Sequence, residues 1–256
     1  MKIFILLFFL FLCKTNNAQD EPIDTDRPDQ TESVNLVPKK WLQFEMGFNV
    51  QENEKNIHEY LTPTLLSKYG LGNKIELRLI TSVITNSYLS IPGGTVNKTG
   101  LEPVEIGAKI SLLQEKRWIP KTSFLFHFAI PGFASKANNI NLIAPNFRLI
   151  LQKSVLKNFA LGCNVGGEWD GEDRSPAYIY TFSPGLNFAD KWYGYIEAFG
   201  VIKKNNLSQH SIDGGLAYNI TNNLKVDISS GFGITKPAPR WYIATGVSNR
   251  FRTNKK

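Results

Sequence analysis

Residues 41–50 of the 256-residue chain are Trp-Leu-Gln-Phe-Glu-Met-Gly-Phe-Asn-Val, a stretch in which apolar and polar side chains alternate. The apolar positions are Leu42, Phe44, Met46, Phe48 and Val50, and the positions between them are Gln43, Glu45, Gly47 and Asn49. Successive side chains of a β-strand point to opposite faces of a sheet. The stretch therefore predicts a strand with one apolar face and one polar face.

The same period of two recurs to the end of the chain and predicts twelve strands, at residues 41–50, 57–69, 74–86, 102–114, 121–131, 141–153, 158–169, 177–188, 191–202, 210–220, 224–235 and 241–251. At about ten residues or more, these segments are longer than the usual strands of soluble sheets. Their length suits a tilted strand that crosses a bilayer.

The connections between these strands differ according to the end of the strands at which they lie. Four connections are tight and contain Asn or Asp, at residues 71–74, 156–159, 189–192 and 221–224, whereas those at 87–101, 132–140, 170–176 and 203–209 are longer and polar. Short periplasmic turns and long outer loops are typical of outer-membrane barrels. The fold class predicted for residues 41–251 is thus all-β, a transmembrane antiparallel up-and-down β-barrel of about 12 strands. A large periplasmic β-sandwich or lipocalin-like barrel, with the apolar face inward, is the soluble alternative.

The first 18 residues predict a signal peptide. Lys2 precedes the apolar run Ile3–Leu12, and a small residue, Ala18, follows. The run is too short for a transmembrane helix, so we expect export across the inner membrane to the bacterial outer membrane. Cys13 leaves lipidation open as an alternative to cleavage near Ala18. Residues 19–40 are expected to form a periplasmic N-terminal segment, and residues 252–256 a basic tail.

Composition and motifs exclude other function classes. The net charge is +7, but lysine and arginine are scattered, so no nucleic-acid partner is expected. His58, His127 and His210 lack metal-ligand spacing, and the sequence contains no phosphate-binding loop or HExxH motif. We therefore predict neither an enzyme nor a metal or cofactor site.

If the apolar faces point to lipid, the polar faces line a lumen. The side chains expected there as lumen-lining or selectivity residues are Glu45, Glu76, Arg78, Glu105, Lys109, His127, Arg148, Glu197, Asp213 and Asp227. Such charges can form a constriction that selects solutes, or they can satisfy one another in a closed interior. The sequence favours a passive channel for small solutes, with a non-conducting structural or surface-interaction barrel as the alternative.

The N-terminal segment carries charge but no alternation. Because it precedes the first strand, it starts at the periplasmic side, and its charged residues could enter the lumen and meet Arg78, Lys109 or Arg148. These candidate plug residues are Asp24, Asp26, Arg27, Asp29 and Glu32. A solvated tether is the alternative.

Several motifs resemble a family of outer-membrane barrels that is common in Bacteroidetes and is labelled as transporters or as a component of the meta-cleavage pathway of phenol degradation. They include Thr-Asp-Arg-Pro at 25–28, Thr-Pro-Thr-Leu-Leu at 62–66, Glu197 within 195–200 and Asp-Gly-Gly-Leu-Ala-Tyr at 213–218. The resemblance implies an outer-membrane location and passage of small compounds, aromatic or hydrophobic ones among them. The tail after Phe251 departs from a family that ends at the terminal aromatic residue.

The partners expected from this interpretation follow from the location. They are outer-membrane lipid, the barrel-assembly machinery through the C-terminal strand ending at Phe251, and a small-molecule solute that the sequence leaves unidentified.

Overall fold

The computed structural model describes residues 21–54, 57–90, 94–203 and 207–253. The expected signal peptide, Cys13 and the last three residues of the tail lie outside these ranges. Within them, no helix is long and apolar enough to cross a membrane.

The described residues form thirteen strands in one antiparallel sheet. They are β1 Trp41–Glu54, β2 Ile57–Gly70, β3 Ile75–Ser90, β4 Gly94–Leu101, β5 Glu105–Leu113, β6 Lys121–Ala129, β7 Ala144–Leu156, β8 Phe159–Glu168, β9 Ala177–Ala189, β10 Trp192–Lys203, β11 Gln209–Thr221, β12 Leu224–Gly233 and β13 Trp241–Arg252. Apart from β4 and β5, which both pair with β3, sequential strands pair around the sheet, and β1 closes the ring by pairing with β13 from Trp41↔Arg252 to Glu52↔Trp241. The expected barrel is confirmed, because twelve strands form the closed ring and β4 is additional.

The strand β4 corrects one expectation, since residues 87–101 were predicted to be a loop. Instead β3 continues to Ser90, and β4 pairs with its outer half from Val83↔Leu101 to Ser90↔Gly94. The strand β5 then pairs with the inner half of β3, from Ile80↔Glu105 onward. From the pair Val83↔Leu101 to the pair Ile80↔Glu105 there are three residue steps along β3 but four along the chain that joins β4 to β5. Pro103 lies in this irregular stretch. A proline cannot donate to the ladder and is found at such irregularities.

Alternation decides which side chains face outward. In β10, Ile196 is 64% exposed whereas its neighbours Tyr195 and Glu197 are buried, and β12 alternates in the same way. The large exposed side chains include Leu77, Ile106, Phe182, Ile228 and Phe232. A continuous apolar exterior around a polar interior is the arrangement of a membrane barrel rather than a soluble one, so the lipocalin-like alternative is wrong.

The two ends of the barrel differ, as the spacing of the sequence predicts. At the turn end, two-residue connections at 157–158, 190–191 and 222–223 join neighbouring strands, and residues 114–120 form a longer turn. At the loop end, residues 130–143 and 169–176 form the longest described connections.

Candidate functional site

All ten predicted lumen residues lie on the inward faces of their strands. Glu45, Glu76, Arg78, Lys109, His127, Glu197, Asp213 and Asp227 are buried, and Glu105 and Arg148 are half-buried. Register places Lys109, and not Glu105, opposite Glu76. Glu105 lies instead beside His127, with 3.6 Å between Glu105 Oε2 and His127 Nδ1.

Residues 21–38, here called the inserted segment, run through the turn-end half of the lumen. The segment starts at the rim, where Ile23 N donates to Asn222 O over 2.8 Å and Arg250 Nη2 donates to Glu21 O. It returns to the same rim at Lys40, whose N donates to Gly70 O over 2.8 Å. Lys40 has a φ of 65°, a left-handed conformation that turns the chain into β1. The segment is therefore a loop held at both ends by the rim.

Asp26 is the most strongly bound residue of the inserted segment. Its Oδ2 accepts from Lys68 Nζ over 2.7 Å and from Arg78 Nη1 over 3.0 Å, while Oδ1 accepts from Lys109 Nζ over 2.9 Å. Its backbone N donates to Glu45 Oε2 over 3.0 Å. Burial opposes ionisation of this carboxyl, but Lys109, Lys68 and Arg78 outweigh it and hold the Asp26 pKa well below its usual range.

Glu32 extends the same charged cluster. Its Oε2 lies 3.0 Å from Arg78 Nη2 and 3.9 Å from Lys109 Nζ. Arg148 Nη1 donates to the Gln30 carbonyl over 3.3 Å. Asp24 differs from the other candidate plug residues, because its exposed carboxylate accepts from Ser33 Oγ over 2.7 Å within the inserted segment itself.

A second anchor lies on the opposite wall, on β9 and β10. Gln30 N donates to Glu197 Oε2 over 2.7 Å, and Thr31 Oγ1 contacts both Glu197 and, over 2.6 Å, Thr181 Oγ1. Tyr193 OH donates to Asp29 Oδ2 over 3.0 Å. Burial raises the pKa of Asp29 to about 7, although the hydrogen bond from Tyr193 favours its charged form.

An apolar contact completes the packing of the segment. Val34 is fully buried against Leu125 of β6 and Ile150 of β7. Beside it, Ser123 Oγ donates to Val34 O over 2.7 Å. The inserted segment thus contacts the lumen wall through charge, hydrogen bonds and apolar packing.

Sequence reasoning missed several residues of this wall, among them Lys68, Tyr193, Tyr195 and Tyr242. Lys68 was missed because β2 carries one extra residue between Leu61 and Thr64, which resets its alternation, and Pro63 was the available signal. Tyr193 and Tyr195 lie on the same face of β10 as Glu197, at a spacing of two residues. The inward position predicted for Glu197 therefore also predicts that both tyrosines face the lumen. Tyr195 OH donates to Pro28 O over 3.2 Å, and Tyr242 OH donates to Asp213.

The loop-end half of the lumen contains a cavity of about 510 Å³. Its floor includes three small residues, Ala129, Ala144 and Ala177, with Glu105 and Glu168 beside them. Small side chains on adjacent strands leave this space open. Its upper rim carries residues of both charges, namely Asp170, Asp173, Arg174 and Lys203.

The closed ring, its apolar exterior and its polar lumen together define an outer-membrane β-barrel. The chain belongs to the family described as "Putative MetA-pathway of phenol degradation", whose model matches residues 25–251. Both the resemblance expected from the sequence and the location in the outer membrane are confirmed. The match begins at Thr25 and so includes most of the inserted segment.

Solved structures share the fold at low sequence identity. The COG4313 outer membrane channel from Pseudomonas putida F1 has a TM-score of 0.66 and 8% identity, over 84% of this chain and 97% of that chain. The KdgM porin has a TM-score of 0.53 and 14% identity, over 82% and 99%. The NanC porin has a TM-score of 0.52 and 13% identity, over 81% and 98%. Among curated sequences none matches this chain significantly.

Proposed function

We propose that the protein is a passive outer-membrane channel for small solutes whose periplasmic half is closed by the inserted segment. The observation that carries the proposal is the division of the lumen. The loop end keeps a cavity of about 510 Å³, whereas residues 21–38 occupy the turn end. In outer-membrane barrels the short turns face the periplasm, so solutes enter the cavity from outside and reach the periplasm when the segment moves.

The polar character of its contacts with the wall supports the proposal that the inserted segment can leave the lumen. Most of its contacts are ion pairs and hydrogen bonds, whose partners water or a solute anion can replace when the lumen becomes hydrated. Among the described residues of the segment, the buried aliphatic side chains are only three, Ile23, Val34 and Val37, and the buried apolar cluster on the wall involves Val34. The charged wall residues, among them Glu76, Arg78, Lys109 and Glu197, would then line the opened path and select solutes. Aromatic compounds are the solute class that the family resemblance suggests.

The decisive experiment compares the full chain with a variant that lacks residues 21–36, in planar bilayers and in liposome swelling. We expect low, intermittent conductance from the full chain and a several-fold larger, steady conductance from the deletion variant. A surface variant, Asp190→Asn in the turn between β9 and β10, should behave like the full chain. Equal permeability of all three proteins would contradict a closing role of the segment.

The filled turn end also favours a second candidate, a non-conducting barrel whose loops bind partners. In that case the charges of the lumen serve only to hold the wall together. Silence of the deletion variant across voltages and salt concentrations would favour this candidate over the channel.

Export and assembly complete the proposal. We infer that residues 1–18 direct secretion across the inner membrane and that the barrel-assembly machinery recognises β13, which ends next to Phe251. Phe251 is an outward-facing aromatic residue that contacts Phe44 across the β1–β13 seam, with 5.9 Å between ring centroids. Phe251→Ser should lower the fraction of chains inserted in the outer membrane, whereas the loop variant Leu207→Ser should not.

A further inference from the structure

Three cationic side chains of the barrel wall converge on a single carboxylate that belongs to the inserted segment and not to the wall. Lys68 of β2, Arg78 of β3 and Lys109 of β5 all donate to Asp26, which lies in the inserted segment. All three are buried, and Lys109 is 0% exposed. Charged hydrogen bonds of this kind are the strong ones, and together they define the position and orientation of one carboxylate.

The wall by itself does not neutralise these cations. Glu45 pairs with Lys68, and Glu76 Oε1 lies 3.3 Å from Arg78 Nη1. Two wall carboxylates thus face three cations, and Asp26 and Glu32 of the inserted segment add two further negative charges. When the segment leaves, the wall keeps an excess of one positive charge. Lys68 and Arg78 keep their wall carboxylates, whereas Lys109 loses Asp26 and the segment carbonyls to which it donates. An unpaired buried charge is costly, so the empty site favours a replacement anion.

We propose that Lys68, Arg78 and Lys109, here called the cationic cradle, bind the carboxylate of a small solute, and that Asp26 occupies this site when the channel is closed. The proposal rests on the proposed function, since the segment must leave before a solute can enter. A monocarboxylate fits the single excess charge. Its bond pattern would repeat that of Asp26, with one oxygen accepting from Lys68 and Arg78 and the other from Lys109.

A route from the outer cavity to the cradle runs along the same strands. Glu105 lines the cavity and Lys109 lies four residues further along β5, about 13 Å at the rise of a strand. On β7, Asn146 lines the cavity and Arg148 lies two residues closer to the turn end. A carboxylate that leaves the cavity toward the turn end therefore approaches Arg78, Arg148 and Lys109. Glu105 with Glu168 opposes multiply charged anions at the entrance.

The test measures binding of sodium benzoate to the purified full chain in detergent by calorimetry. Asp26→Asn removes the competing carboxylate with little change of shape, and deletion of residues 21–36 empties the cradle by a different route. We expect both variants to bind benzoate at least about tenfold more tightly than the unaltered protein, which corresponds to the strength of about one charged hydrogen bond. The double variant Asp26→Asn/Lys109→Gln keeps the net charge of the unaltered protein and should lose this gain. Asp190→Asn is the surface control.

Two further probe molecules distinguish recognition of a carboxylate from binding of an uncharged ring or of another anion. Benzyl alcohol, which has the ring without the charge, should bind all variants equally weakly, and phosphate should bind more weakly than benzoate. The proposal is overturned if neither emptied variant gains affinity, if benzyl alcohol gains as much as benzoate, or if phosphate binds as tightly as benzoate. Failure of the channel proposal is distinguishable, because then the deletion variant binds benzoate and yet conducts no current.

Discussion

Arg27 Nη2 donates to Asp227 Oδ1 over 2.9 Å and so joins the inserted segment to β12, 200 residues further along the chain. The Asp227 side chain is 0% exposed, whereas 22% of the Arg27 side chain is exposed. Removal of one partner of a buried ion pair leaves an uncompensated charge. This pair therefore links the position of the segment to the stability of the wall.

The first prediction concerns this pair. Arg27→Gln should lower the free energy of unfolding by about 3 kcal/mol, near the low end for buried pairs because Arg27 is partly exposed. Asp227→Asn in the same chain should restore part of the loss, since it removes the buried charge. Urea unfolding in lipid vesicles would measure both variants. Strictly additive losses in the double variant would show that the two residues are not coupled.

The second prediction concerns two glycines that face each other beneath Arg27. Gly47 and Gly246 are paired across β1 and β13, and an added Cβ would lie 2.2 Å from Arg27 Nη1 at Gly47 and 2.3 Å from Arg27 Nε at Gly246. Because the clash is with the end of a flexible side chain, Gly246→Ala should leave the barrel folded but displace Arg27, at about 1 kcal/mol.

The measurement for the glycine prediction is solute permeability in liposomes. Gly246→Ala should raise permeability, and Arg27→Gln should abolish the difference between the glycine and alanine proteins. Gly72→Ala is the control, because nothing lies within 4 Å of its added Cβ. A permeability increase that persists without Arg27 would mean that the alanine acts on the wall instead.

The third prediction is a pH dependence that originates at Asp29. Burial raises its pKa from about 3.8 to about 7, so the inserted state holds a proton that the released state has lost. The resulting stabilisation is complete below about pH 4 and is lost as the pH rises through about 7. The groups that face Asp29 are Tyr193 and Ser183, with Asp213 opposing and Lys225 favouring its charge.

We therefore expect the open fraction of the channel to rise between about pH 4 and pH 7, by at most about tenfold per pH unit. Single-channel recording at pH 5 and pH 8 would measure it. Asp29→Asn should flatten the profile, whereas Asp26 contributes only in the acid range, because its pKa is lowered. A profile that is unchanged by Asp29→Asn would assign the dependence to another group.

The fourth prediction tests the lipid-facing exterior. Ile196 is outward-facing near the middle of β10 and is 64% exposed. Ile196→Arg should destabilise the barrel in lipid vesicles by about 2–4 kcal/mol, the cost of a charge near the bilayer midplane. Leu207→Arg, in the loop that follows β10, should cost little because that position is outside the membrane. A similar cost for both would contradict the orientation of β10.

Alternation by itself decided the architecture of this protein. It placed the strand segments of the closed ring, the outward faces of residues such as Phe44 and Ile196, and the inward faces of Glu45 and Glu197. This succeeds because the two-residue period is a local property, fixed by backbone geometry and by the solvent on each side of the sheet. Pro63 and Pro103 mark where the local pattern breaks, and at those breaks the face of Lys68 and the extent of β4 were missed.

Only the tertiary structure decided which charges meet. Residues 21–38 have no period, so their route through the lumen depends on partners supplied by strands that are distant in sequence. Lys68, Arg78 and Lys109 converge on Asp26 because the register of β2, β3 and β5 brings their inward faces to one height and because Asp26 enters at that height. The alternation within one strand determines which of its side chains face the lumen. The convergence of three side chains on one carboxylate depends on how several strands and the inserted segment are placed in the closed ring.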